Sequence, residues 1–200
     1  GNHRASGIWA MLSDGDLSPV IGRCLCLGEK RALRACARGV AQLAEALLSR
    51  GPSRLYLSGG SGSSSVEFFS PRGGTWHPAP PMREARDCSA SAVLEGCLYV
   101  CGGFAANSLR GMRTAERLDI RSGQWEALPE MGQGRGGAAA AAFRGELYVC
   151  GGINPTSRSA ERFEPGAGRW ETCGLMGEAR GWAAAAAFDG GLYVCGGFDD

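Results

Sequence analysis

Short apolar runs recur along the chain, and each one ends at a pair of glycines. Leu55–Ser58 runs into Gly59-Gly60, and Leu98–Cys101 into Gly102-Gly103. Leu147–Cys150 runs into Gly151-Gly152, and Leu192–Cys195 into Gly196-Gly197. Such runs, bounded by turn residues, read as buried strands. Ahead of three of them lies a run of small residues, at residues 89–94, 138–143 and 183–188, followed by a turn containing glycine. Ala138–Ala142 and Ala183–Ala187 are helix formers on propensity alone. They are too short to hold an isolated helix, and the repeat puts both in the place of a strand. After the glycines, a polar stretch leads to Ala160-Glu161-Arg162-Phe163, a turn at Pro165-Gly166, and Trp170. One period is therefore four short strands with turn signals between them.

The register is shared by several residue types. The double glycines are 43, 49 and 45 residues apart. Trp76, Trp125 and Trp170 keep the last two steps, as do Glu67, Glu116 and Glu161, and Arg86, Arg135 and Arg180. Each arginine lies 16 residues before its double glycine. The insertions thus fall between the glycines and the glutamate, in a variable loop. Four strands in a period of this length is one blade of a β-propeller. The fold class is all-β, with about four blades in a partial ring. The first unit shows three strands, the next two show four each, and the last shows two. A stretch within Ala44–Ser49 is a candidate for the missing first strand of the first blade.

These features resemble the kelch repeat. The resemblance rests on the double glycine after Leu-Tyr, the downstream glutamate and aromatic, and the tryptophan ahead of Met-x-x-x-Arg. It covers about residues 55–200. It implies a propeller whose first strands line a crowded axis, where alanine fits and larger side chains clash. It also implies five to seven blades in a closed ring, so the chain reads as a fragment or as one completed by other material. Tyr56, Tyr99, Tyr148 and Tyr193 are expected to pack between blades, with the tryptophans and the four glycine pairs serving structure. The repeated arginines and glutamates are expected to form buried or half-buried pairs that lock neighbouring strands.

Positions where the repeats differ are the better binding candidates. The resemblance implies one binding face near the central channel, built from residues just after the double glycines and just after the repeat arginines. The first set is Phe104, Asn107, Ile153, Asn154, Phe198 and Asp199; the second is Cys88, Gly137 and Trp182. Trp182 stands where the other repeats have cysteine and glycine, and reads equally as a binding anchor or as a cap on its blade.

Residues 1–51 lack the repeat and form a separate N-terminal segment ahead of the propeller at 52–200. Asp16-Leu17-Ser18-Pro19 is a helix-start signal, and Leu33, Cys36, Val40, Leu43 and Leu47 recur at helical spacing until Gly51-Pro52. Two short amphipathic helices are expected. Their order of Leu-Ser-Pro, apolar helix, Cys-Leu, Gly-Glu and Ala-Leu-Arg-Ala-Cys resembles an F-box, the module that binds the small adaptor of cullin–RING ubiquitin ligases. An aromatic usual to that module is missing near Gly39-Val40.

Composition narrows the function. The net charge of +1, from 21 basic and 20 acidic residues, makes no case for nucleic acid or a membrane surface. No apolar run is long enough to span a bilayer. Nine cysteines without a C-x-x-C pair, and two histidines, His3 and His77, give no zinc spacing. Reduced thiols point to an intracellular setting, cytoplasmic or nuclear. Cys101, Cys150 and Cys195 share one repeat position and read as small core residues. The resemblance also admits copper radical oxidases, but four tyrosines at one blade position and two distant histidines do not build a copper site. No Ser/His/Asp or Cys/His arrangement is evident, and no helix start or Gly-Lys-Ser/Thr follows the glycines. The sequence reads as a non-enzymatic protein-interaction propeller without cofactor or metal. Its expected partner is a protein, either through a ubiquitin-ligase adaptor or as a cytoskeletal scaffold on actin.

Overall fold

The computed structural model describes residues 8–12, 54–153 and 158–198. They form fourteen strands in four antiparallel sheets, with no helix among them. Blade 1 is β1 (Ile8–Leu12), β2 (Arg54–Ser58), β3 (Val66–Ser70) and β4 (Thr75–Ala79). Blade 2 is β5 (Ala90–Leu94), β6 (Cys97–Cys101), β7 (Ala115–Asp119) and β8 (Gln124–Leu128). Blade 3 is β9 (Ala139–Phe143), β10 (Glu146–Cys150), β11 (Ala160–Glu164) and β12 (Arg169–Thr172). Blade 4 holds β13 (Gly181–Phe188) and β14 (Gly191–Phe198). Within each sheet the strands lie in chain order, and the first strands β1, β5, β9 and β13 pack side by side around the axis.

That arrangement accounts for the alanines. Side chains alternate across a strand, so an inner strand between two neighbours must be small on both faces. Ala138 and Ala140 pack into the core shared with blade 2, beside Tyr99, Leu147 and Phe163. Ala139 and Ala141 face the other way, against Ala183 and Ala185 of blade 4. A further core between blades 1 and 2 holds Tyr56, Val66, Met82, Leu98, Val100 and Leu118. The apolar cores thus lie between blades, as helix propensity yields to burial on both sides.

Blade 1 departs from the sequence reading. Its inner strand is Ile8–Leu12, paired with β2 from Ile8↔Ser58 to Leu12↔Arg54. The N-terminal segment therefore contributes a strand to the first blade. Ala44–Ser49, the stretch considered for that place, and the expected helices between residues 16 and 50 lie outside the described residues. The other blades join their first two strands by two residues, such as Glu95-Gly96 and Arg144-Gly145. In blade 1 that connection is residues 13–53, and its length hid the strand from the repeat pattern.

Candidate functional site

The repeat arginines hold the ring together and fix the loops above it. Arg86 and Arg135 are 1% and 0% exposed. A buried guanidinium needs a partner for every donor, and the repeat supplies them. Arg135 Nη1 donates to the Gly151 and Ser159 carbonyls at 2.8 and 3.0 Å. Its Nε and Nη2 donate to Glu161 Oε1 at 3.2 and 3.0 Å. Glu161 also accepts from the backbone N–H groups of Gly132 and Gln133. Blade 2 repeats the pattern with Arg86 on Gly102, Thr114 and Glu116, and with the Arg83 N–H on Glu116. Two of the pairs that the sequence pattern called for are thus buried, whereas Glu67 is exposed and Arg180 pairs with its exposed neighbour Glu178.

The same arginines reach the preceding blade through their backbone. The N–H groups of Gly60, Gly103 and Gly152 donate to the carbonyls of Arg86, Arg135 and Arg180 at 3.0, 2.7 and 3.1 Å. The first glycine of each of these pairs has φ of 68°, 63° and 68°. A Cβ there would meet the carbonyl oxygen of Arg86, Arg135 or Arg180, so both conformation and space demand glycine. The tryptophans make an outer tie: Trp125 and Trp170 indole N–H groups donate to the carbonyls of Pro80 and Pro129 in the preceding blade.

Two residues beyond each arginine the chain turns through the left-handed region, at Cys88 (φ 53°), Gly137 (φ 63°) and Trp182 (φ 59°). These residues join from blade to blade. Gly137 N–H donates to the Cys88 carbonyl at 2.9 Å, and Trp182 N–H to the Gly137 carbonyl at 2.7 Å. The result is a hydrogen-bonded rim around the mouth of the central axis. Phe104 and Ile153 rise beside it. Phe104 exchanges backbone hydrogen bonds with Asp87, and its ring lies over Gly136. Ile153 N–H donates to the Gly136 carbonyl. The Trp182 indole lies against Gly137, with ring carbons about 3.1 Å from where a Cβ would sit. Trp182 thus caps the neighbouring blade while remaining partly open.

The structure brings Phe104, Ile153, Cys88, Gly137 and Trp182 together on this rim. Cys88 is buried and contributes backbone rather than side chain. Asn107 is exposed on the adjoining loop with φ of 60°. Phe198 ends β14 opposite Gly181 and is 48% exposed. Asn154 and Asp199 lie outside the described residues. The loop of Asn107 also carries Leu109, 98% exposed, which sequence reasoning missed. Its apolar character in a polar loop between Asn107 and Arg110 was the available signal.

Among the described residues, no group of three or more His, Cys, Asp or Glu side chains is placed to hold a metal. Tyr56 and Tyr99 are 2% and 1% exposed in the interblade cores, where burial raises the Tyr99 phenol above its ordinary value. Cys101 and Cys150 pair with inner-strand alanines, and burial pushes their thiols up to about 12 and about 11. Such thiols are inert packing groups at neutral pH.

Comparison with known proteins agrees with this architecture. The family model described as the kelch motif matches residues 85–132 and 134–177, which are blades 2 and 3 with their leading arginine segments. Two kelch motifs therefore lie within residues 85–177. Kelch-like protein 23 from mouse and from human are each 30% identical to it over 66 residues. That stretch is 33% of this chain and 12% of the length of those relatives. Among solved structures, the protein titled YjhT superposes with a TM-score of 0.60 at 18% identity. The match covers 66% of this chain and 52% of that one, and shows a shared fold.

Proposed function

We propose that this kelch protein is an interaction module that binds a partner protein through the rim formed by Phe104, Ile153, Trp182 and the Asn107–Leu109 loop. The observation that carries the reading is the combination of a rigid base and open apolar tips. Backbone hydrogen bonds fix Cys88, Gly137 and Trp182 in place, while Leu109 stands almost wholly in solvent. Scaffolded loops of this kind bind by presentation, with large apolar side chains as anchors. The test is capture of interacting proteins by the chain and by Leu109→Asp and Trp182→Ala variants. Loss of the same partner from both variants supports the rim, and retention by both removes it as the binding surface.

The finer reading is a substrate receptor of a cullin–RING ubiquitin ligase. It is supported by the F-box-like order of residues 17–38. A binding titration with the small adaptor decides it. The comparison chain replaces residues 13–53 with Asp-Gly and keeps β1, since removing residues 1–50 would also take a strand from blade 1. Binding lost with the segment supports the ligase role, whereas no binding by either chain leaves a scaffold such as an actin-associated one.

A further inference from the structure

The seam between blades 1 and 2 differs in chemistry from the seam that follows it. Between blades 2 and 3, Cys101 closes β6 and Ala140 lies on β9, both buried in one apolar core. Repeat register puts Cys150 and Ala185 in the same places one blade further on. Between blades 1 and 2 the matching residues are Ser58, at the end of β2, and Ser91, on β5. Two hydroxyls thus stand where a thiol and a methyl stand elsewhere.

Strand alternation turns both hydroxyls into the seam. Ser58 lies two residues after Tyr56 and Ser91 two before Val93, and Tyr56 and Val93 share the apolar core between these blades. Ser58 and Ser91 are 3% and 2% exposed, so bulk solvent does not satisfy them. Neither Oγ has a hydrogen-bond partner among the described residues, and the two do not bond each other. Their cross-strand neighbours Val66 and Val100 are buried and offer no polar group. The next backbone donors are engaged as well: Gly59 N–H donates to the Ser65 carbonyl and Gly60 N–H to the Arg86 carbonyl. Buried hydroxyls in folded proteins are paired, by protein or by ordered water, because stripping them of partners is costly.

We propose that this seam binds a single ordered water that bridges Ser58 Oγ and Ser91 Oγ. Water suits the site chemically, since each hydroxyl both donates and accepts and a water does the same for each. One residue comes from each blade, so the water ties the blades together. It adds to the backbone bond from Gly60 to Arg86, which joins the same two blades two residues further along from Ser58.

The test is a double-mutant cycle on the 200-residue chain, with Ser58→Ala, Ser91→Ala and both, read by urea unfolding. A shared water makes the two hydroxyls interdependent. Each single change is expected to lower the folding equilibrium constant about three- to tenfold, as loss of one hydrogen bond does, and the double change by clearly less than the product. Two dry hydroxyls behave in the opposite way: removing either one relieves an unpaired group and raises stability. A rise in stability with either single change overturns the inference, as do single effects that simply multiply in the double variant. Crystallography supplies a second readout, with density expected for a water within about 3 Å of both Oγ atoms and none there in the double variant. A seam without that density in the unaltered chain also overturns the inference.

Discussion

At the residue scale, Arg135 is one of the most fully enclosed side chains among the described residues. It is fully enclosed, and its donors are divided between Glu161, Ser159 and two backbone carbonyls. Arg135→Met leaves the Glu161 carboxylate buried without its counter-ion, which costs about 3–5 kcal/mol when a buried pair is broken. Urea unfolding should register that loss, whereas Arg113→Met, half-exposed beside Glu130, should change stability by less than about 1 kcal/mol. Gly151 is constrained by backbone instead. Gly151→Val forces a β-branched residue to φ of 68° against the Arg180 carbonyl. Thermal melts should show it unfolding far below Gly174→Ala, whose added methyl meets nothing within 4 Å. Both residues were legible in the sequence, because each recurs at a fixed distance from the other. The indole of Trp182 over Gly137 was not, since it joins two blades at positions where the repeats differ.

At the element scale, the inner strands show how burial on two faces overrides helix propensity. β9 is nearly all alanine because Tyr99 and Phe163 crowd one face and Ala183 and Ala185 the other. Ala141→Leu should destabilise the chain by about 1–3 kcal/mol through overpacking, read as a lower urea midpoint with unchanged m-value. Lengthening a side chain on an outer strand, as in Ala127→Leu or Thr172→Ile, lacks that penalty because both sites are exposed. Strands β2 to β14 were readable from periodic apolar runs and turn residues. β1 was not, because residues 13–53 separate it from its partner where other blades use two residues. The signal that remained was Arg4, four residues before Ile8 as Arg135 is four before Ala139.

At the scale of the whole molecule, the cores lie between blades and enclose ionisable thiols at equivalent places. Burial pushes the Cys101 and Cys150 thiols up to about 12 and about 11 in the folded chain, from an ordinary value near 9. Between those limits the unfolded chain releases protons that the folded chain keeps. Stability is therefore unaffected by these groups below pH 9 and falls as the pH climbs towards 11 and 12. Denaturant midpoints should hold level from pH 7 to 8 and decline above pH 9, and Cys101→Ala with Cys150→Ala should flatten the decline. Iodoacetamide at pH 8 should label exposed Cys195 in the native chain and reach Cys101 and Cys150 only after unfolding.

Each repeat arginine grips its own blade with its side chain and meets the blade before through backbone alone, by its carbonyl and, at Arg86 and Arg135, also by its N–H. This asymmetry gives the ring a direction. Detaching blade 4 removes the Arg180 carbonyl from Gly152 but leaves the lock of Arg135 and Glu161 whole. Detaching blade 3 next would free Gly103 and spare Arg86 with Glu116 in the same manner. Mechanical load applied at the β14 end should accordingly peel the blades in reverse chain order, in separate steps, with each remaining blade still locked as its neighbour leaves.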